Sequence, residues 1–119
     1  MLSAASALTW AKDVLGVSGE AQLLALATSL TAHQRATAPL FLPYLSGERS
    51  PHNNAHASGV WFGMTRAHTT ADLAYAVAEG VGFGLYDGLR SLQQPAPAQL
   101  SVVGGGTRSA WWLQLLANI

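Results

Sequence analysis

Gly104, Gly105 and Gly106, followed by Thr107, Arg108 and Ser109, form the stretch best suited to hold a ligand. The β-branched pair Val102-Val103 precedes them, and the apolar run Ala110 to Ile119 follows, so the pattern predicts a strand, a tight turn and a helix. Glycines place no side chain between the backbone and an approaching polyanion. The first amides of a helix point outward unpaired, with the positive end of the helix dipole behind them. That chemistry suits a nucleotide phosphate. The spacing Gly104-x-Gly106-x-x-Ser109 nearly matches a dinucleotide fingerprint, which needs an acid about 20 residues further on. Only 10 residues follow Ser109, and the Lys-Ser/Thr pair of a P-loop is missing. On the residues alone, a purely structural turn stays open as the alternative.

Other reactive side chains point less firmly to chemistry. His52 and His56 are four residues apart, but Pro51 and two asparagines put them in a loop with no third ligand in view, so no metal site is expected. Of the carboxylates, Asp13, Glu20, Asp72 and Asp87 fall on predicted helices, where capping or solvation accounts for them. Glu79 lies mid-helix beside glycines and is placed to face an interface. Glu48 is expected to pair with Arg49 within a polar loop. None has a neighbouring His, Ser or Cys that would make a catalytic pair. Of Trp111 and Trp112, one is expected in the core and the other at an edge.

These residues need elements to position them. The pattern predicts a helix from about Ser3 to Leu15 closed by Gly16, and a second helix from Gly19 to Ser29 with Ser18 as its N-cap. His33 to Ala38 reads as loop. Leu40 to Leu45 reads as a strand interrupted by Pro43, Ser46 to Ser58 as a long polar loop, and Gly59 to Met64 as a second strand. A long helix runs from Thr69 to about Leu92, with Thr69 and Asp72 at capping-box spacing. Gly80, Gly82, Gly84 and Gly88 lie inside it, and each costs about 0.5–1 kcal/mol against alanine. Close approach of another backbone along this face is the expected reason. Gln99 to Val103 reads as a buried strand behind the stiff Pro95-Pro97 connector.

The 119 residues suffice for one small domain. Half are hydrophobic, 10% are charged and mean hydropathy is +0.22. Soluble domains usually carry about 25% charged residues. The shortfall predicts that part of this surface lies against other protein. Six scattered cations balance six anions, which argues against nucleic acid. Cysteine is absent, which fits a cytoplasmic protein. No apolar run is long enough for a spanning helix, so no membrane is expected. Met1 to Ala5 lacks a basic signal region, and no cap follows Asn118-Ile119, so both ends are expected to be cut.

Four segments carry a resemblance. Phe41-Leu42-Pro43-Tyr44-Leu45-Ser46-Gly47-Glu48-Arg49-Ser50-Pro51-His52 resembles the FLPYL-GER-[ST]-P segment of FGGY carbohydrate kinases, most closely in their xylulokinase branch. Gly59-x-Trp61-x-Gly63-Met64, with Asp72-Leu73-x-x-Ala76-Val77-Ala78-Glu79-Gly80-Val81 downstream, is similar to the family's C-terminal signature. Ala78 stands where a larger apolar residue is usual. Gly104 to Ser109, with Trp112, Gln114 and Ala117, resembles the G-G-G-[AT]-[RK]-S-x-x-W-x-Q-x-x-A-D segment, with Asn118 in place of Asp. Ala4 to Trp10 is similar to a small-residue helix start, with a usual glycine replaced near Ala5.

The resemblance implies an α/β fold: residues 1–119 would be part of the C-terminal actin-like ATPase (ribonuclease-H-like) domain, with mixed-sheet strands and flanking helices. The N-terminal sugar-binding domain would lie elsewhere. It implies transfer of the γ-phosphate of ATP, with Mg2+, to the 5-hydroxyl of D-xylulose. The other readings are a kinase of another sugar or polyol (ribulose, gluconate, glycerol) and a non-enzymatic interaction module. Gly104, Gly105, Gly106 and Ser109 would meet the phosphate and ribose side of ATP, and Ala5 and Thr9 the adenine from the opposite wall. The family's general-base Asp would lie upstream, so these residues hold no catalytic group and are expected to be inactive alone. A homodimer is among the assemblies the resemblance admits.

Overall fold

The computed structural model describes residues 1–119. Its elements are α1 (Ser6–Val14), α2 (Glu20–Thr28), α3 (Ala32–Ala36), β1 (Leu40–Leu42), β2 (Val60–Phe62), α4 (Thr70–Ser91), a 3-10 turn (Gly105–Arg108) and α5 (Ala110–Asn118). β1 and β2 pair antiparallel, Phe41 opposite Trp61, and Pro43 ends the first strand one residue after its last ladder position.

The long helix α4 is the axis of the core. Ala74, Ala76, Val77, Ala78 and Val81 are buried along it, and these small side chains let other elements approach closely. α2 contributes Leu23, Leu24 and Ala27, α1 contributes Ala7, Leu8 and Ala11, and Phe41 and Trp112 close the cluster. Three of the helix glycines have a packing reason. A β-carbon on Gly80 would overlap the carbonyl oxygen of Phe41, one on Gly82 would strike Ile119 and Leu116, and one on Gly84 would strike Met1 and Pro43. The predicted backbone approach is therefore real at Gly80. Nothing in the structure explains Gly88, whose surroundings are open.

The turn between α1 and α2 follows the glycine signal. Gly16 takes φ +68°, the Val17 amide donates to the Lys12 carbonyl at 2.8 Å, and the Gly16 amide donates to the Asp13 carbonyl at 3.3 Å. This closure folds α2 back along α1. Ser18 is not the N-cap: that position is Gly19, and Ser18 instead bonds the side chain of Gln22 through its amide at 3.1 Å and its hydroxyl at 2.5 Å. At the start of α4, the Asp72 carboxylate accepts from the Thr69 amide at 2.7 Å and hydroxyl at 2.8 Å, as the spacing predicts.

Two further expectations are corrected. Residues 33–38 are not loop throughout, because Thr31-Ala32-His33-Gln34 is a capping box that nucleates α3: the Gln34 amide donates to Thr31 Oγ1 at 3.2 Å, and the Thr31 amide to Gln34 Oε1 at 2.8 Å. Gln99 to Val103 form no strand and are not buried; Val103 is 90% exposed. A strand needs a partner ladder for its amides and carbonyls, and no backbone of the chain pairs with this segment.

Candidate functional site

The first helix and the glycine turn face each other across a cleft of about 630 Å3. That volume is in the range of small-molecule sites. Ala5 and Thr9 of the α1 region form one wall, the first turns of α2 with Glu20 and Leu24 the floor, and Gly105, Gly106, Arg108 and Ser109 the other wall. Ala5, Thr9, Gly105, Gly106 and Ser109 thus meet, although about 100 residues separate the two groups. Gly104 does not line this cleft. It borders a second, apolar cavity of about 510 Å3 with Leu100, Val102 and Leu89.

The turn differs from a strand running straight into a helix. Gly104 adopts φ +108° and ψ −178°, a conformation essentially restricted to glycine. Its carbonyl accepts from the Thr107 amide at 3.2 Å and the Thr107 hydroxyl at 2.7 Å, and the Gly106 carbonyl accepts from the Ser109 amide at 3.2 Å. The carbonyls hold the turn, so the amides of Gly104, Gly105 and Gly106 have no acceptor within the chain. The free donors belong to the 3-10 turn rather than to α5. At α5 itself Ser109 is the N-cap, and its hydroxyl accepts from the Trp112 amide at 3.2 Å.

Gly105 and Gly106 are glycine for different reasons. A β-carbon on Gly105 would enter open space. One on Gly106 would overlap the Trp112 indole, which is buried beneath the turn and donates from Nε1 to the Ala78 carbonyl at 3.0 Å. Trp112 is therefore the core tryptophan that ties the turn to α4. Trp111 lies at the edge against Tyr75, ring centroids 6.2 Å apart.

Glu20 and Arg108 belong to the cleft although the sequence pattern assigned neither to it. Thr9 Oγ1 donates to Glu20 Oε1 at 2.8 Å across the α1–α2 turn. Hydrogen bonding from its own backbone amide, and then from Thr9, holds the Glu20 carboxyl below the ordinary carboxylate range. The signal for Glu20 was Gly16, whose turn returns the chain to Thr9. For Arg108 it was its place inside the glycine motif.

The remaining candidates lie outside the cleft. His52 is tied to α4, with Nε2 2.9 Å from Asp87 Oδ2 and 3.1 Å from the Tyr44 hydroxyl. No three His, Cys, Asp or Glu side chains gather as metal ligands. Glu48 makes no ion pair with Arg49. Its buried carboxylate accepts from the Arg49 amide at 2.7 Å and lies 3.3 Å from the Met1 nitrogen, because the loop closes on itself through Glu48 and Asn54. On α4 the Tyr75 hydroxyl donates to Glu79 Oε1 at 2.8 Å. Burial, and then the Glu79 carboxylate, push the Tyr75 phenol up to about 12, while burial raises the Glu79 carboxyl. No helix is long and apolar enough to cross a membrane.

Comparison with known proteins places the chain in a family. Residues 2–119 match the model of the C-terminal domain of the FGGY family of carbohydrate kinases. The xylulose kinase of Escherichia coli (strain K12) is 48% identical over 121 aligned residues, covering 100% of this chain and 25% of that protein. Two structures from Lactobacillus acidophilus, a ligand-bound xylulose kinase and a gluconate kinase, each superpose with a TM-score of 0.88 at 35% identity, over 98% of this chain and 24% of theirs. The chain spans about a quarter of the length of the curated relatives it matches.

Proposed function

Because the chain belongs to the FGGY family of carbohydrate kinases, we propose that it forms the nucleotide side of an ATP-dependent sugar kinase acting on D-xylulose. In this proposal residues 1–119 are part of the C-terminal domain, and the sugar-binding domain lies in other segments of the protein. The carrying observation is the cleft that joins the Gly105–Gly106 turn to Ala5 and Thr9.

The chemistry follows from the donors. Phosphoryl transfer depends mainly on positioning and charge neutralisation. The unpaired amides of Gly105 and Gly106 and the guanidinium of Arg108 would receive the phosphate end of ATP. Gly104 holds the turn in shape behind them. Ser109, whose oxygen already caps α5, retains its hydroxyl proton for a ligand oxygen. Ala5, Leu8 and Leu24 offer apolar surface to the base. The γ-phosphorus would bond to the sugar hydroxyl oxygen as its bond to the bridging oxygen of ADP breaks. The hydroxyl proton would pass to a carboxylate outside these residues, so this chain alone would not turn over sugar. No three carboxylate or histidine side chains gather in this chain, and no step is assigned to Mg2+ within it. The absence of cysteine fits a reducing, cytoplasmic setting.

The equal likeness to a gluconate kinase supports a second sugar reading. The test is ADP release by the complete kinase given ATP, Mg2+ and, in turn, D-xylulose, D-ribulose, gluconate and glycerol. D-xylulose is expected to give the highest kcat/KM. A higher value for another sugar reassigns the substrate. No turnover with any sugar, together with a melting temperature indifferent to Mg-ATP, overturns the kinase reading in favour of an interaction module.

A further inference from the structure

The cleft is chemically lopsided. The Thr9 hydroxyl has one proton, and it is committed to Glu20 Oε1. Toward the cavity Thr9 therefore offers only lone pairs. An ionised carboxylate also offers only lone pairs, and Glu20 has a second oxygen to spare. A glutamate is already ionised at neutral pH, and its hydrogen bonds lower its pKa further. Lys12 and Asp13 act on Glu20 with opposite sign, and they pair with each other at 2.5 Å.

The far wall is the reverse. The amides of Gly105 and Gly106 and the guanidinium of Arg108 are donors without acceptors. A phosphate, anionic and rich in acceptors, is drawn to that wall and repelled from Glu20. Whatever touches the Thr9–Glu20 corner must carry a donor and no negative charge.

We propose that Glu20 accepts a hydrogen bond from a donor on the nucleoside half of the nucleotide, a ribose hydroxyl or the amine of the base, and thereby orients and selects it. The inference rests on the nucleotide reading of this cleft. The competing role for Glu20 is structural, since an acid in the first turn of α2 stabilises that helix and the Thr9 bond ties it to α1.

Glu20→Gln separates the two roles. Its carboxamide oxygen still accepts from Thr9, while its amino group replaces the free acceptor. In the complete kinase, the wild type is expected to use either 2′-deoxyATP or ITP roughly tenfold less well than ATP in kcat/KM, and Glu20→Gln is expected to raise KM for ATP about tenfold and erase that preference. Loss of discrimination against 2′-deoxyATP assigns the ribose hydroxyl; loss against ITP assigns the base amine. Gly105→Val, measured alongside, tests the cleft itself. If Gly105→Val raises KM for ATP while Glu20→Gln leaves KM or both preferences intact, the role of Glu20 is overturned and the cleft stands. If neither variant alters KM for ATP, the nucleotide reading falls and takes the role of Glu20 with it.

Discussion

The carbonyl oxygen of Phe41 occupies the space where a β-carbon on Gly80 would stand, so β1 and α4 touch backbone to backbone. Gly80→Ala should therefore destabilise the protein by about 1–3 kcal/mol despite the better helix propensity of alanine. Gly88→Ala, in the same helix but facing open space, should stabilise it by about 0.5–1 kcal/mol. Denaturant unfolding of both variants checks the pair, and equal effects would contradict the contact.

Gly105 and Gly106 should separate function from folding. The β-carbon of Gly105→Val meets no atom of the chain, and the substitution puts a branched side chain at the cleft wall, so KM for ATP should rise roughly tenfold or more with little change in melting temperature. Gly106→Ala should instead displace the Trp112 indole and cost about 1–3 kcal/mol. Steady-state kinetics beside thermal unfolding distinguishes the two patterns.

Acid should weaken the start of α4 through Asp72. Burial alone would raise its carboxyl, but the Thr69 amide and hydroxyl bonds, with His68 nearby, bring it below its ordinary value. A carboxyl lowered on folding stabilises above its unfolded value, about 3.9, and that stability is lost as pH falls through the folded value. Asp72→Ala should cost about 1–2 kcal/mol at neutral pH. The gap to wild type should close in strong acid, as read by unfolding at a series of pH values.

Glu79 has the opposite sign. Its carboxyl is raised by burial, so its protonated form fits the fold better. Its favourable contribution is complete below the unfolded value, about 4.3, and is lost as pH rises through the folded value. Glu79→Gln can still accept from the Tyr75 hydroxyl. It should raise the melting temperature at pH 7 and leave it unchanged below about pH 4. A lower melting temperature at pH 7 would show that the charge of Glu79 is needed.

Four of the five helices and the glycine wall of the cleft were legible because their signals are local: Gly16, the Thr69–Asp72 spacing, the apolar stripes and the glycine run; the opposite wall, Ala5 and Thr9, came only from the family resemblance. The strand signal of Gln99 to Val103 is local as well, yet that segment failed to pair, since a ladder depends on a neighbour that composition does not reveal. α3 was missed because its capping box is polar and brief. Glu20 was hidden for another reason: its partner Thr9 is reached only through the turn at Gly16, and a first-turn acid already had a local explanation.

The bare segment Leu100 to Val103 has a practical consequence. Its amides and carbonyls are a template for any extended chain that comes alongside, and its side chains are partly apolar. At high concentration the nearest such chain is another molecule of the same kind. Material handled as these 119 residues should therefore thicken into intermolecular β-structure, and Val103→Lys should keep it dispersed.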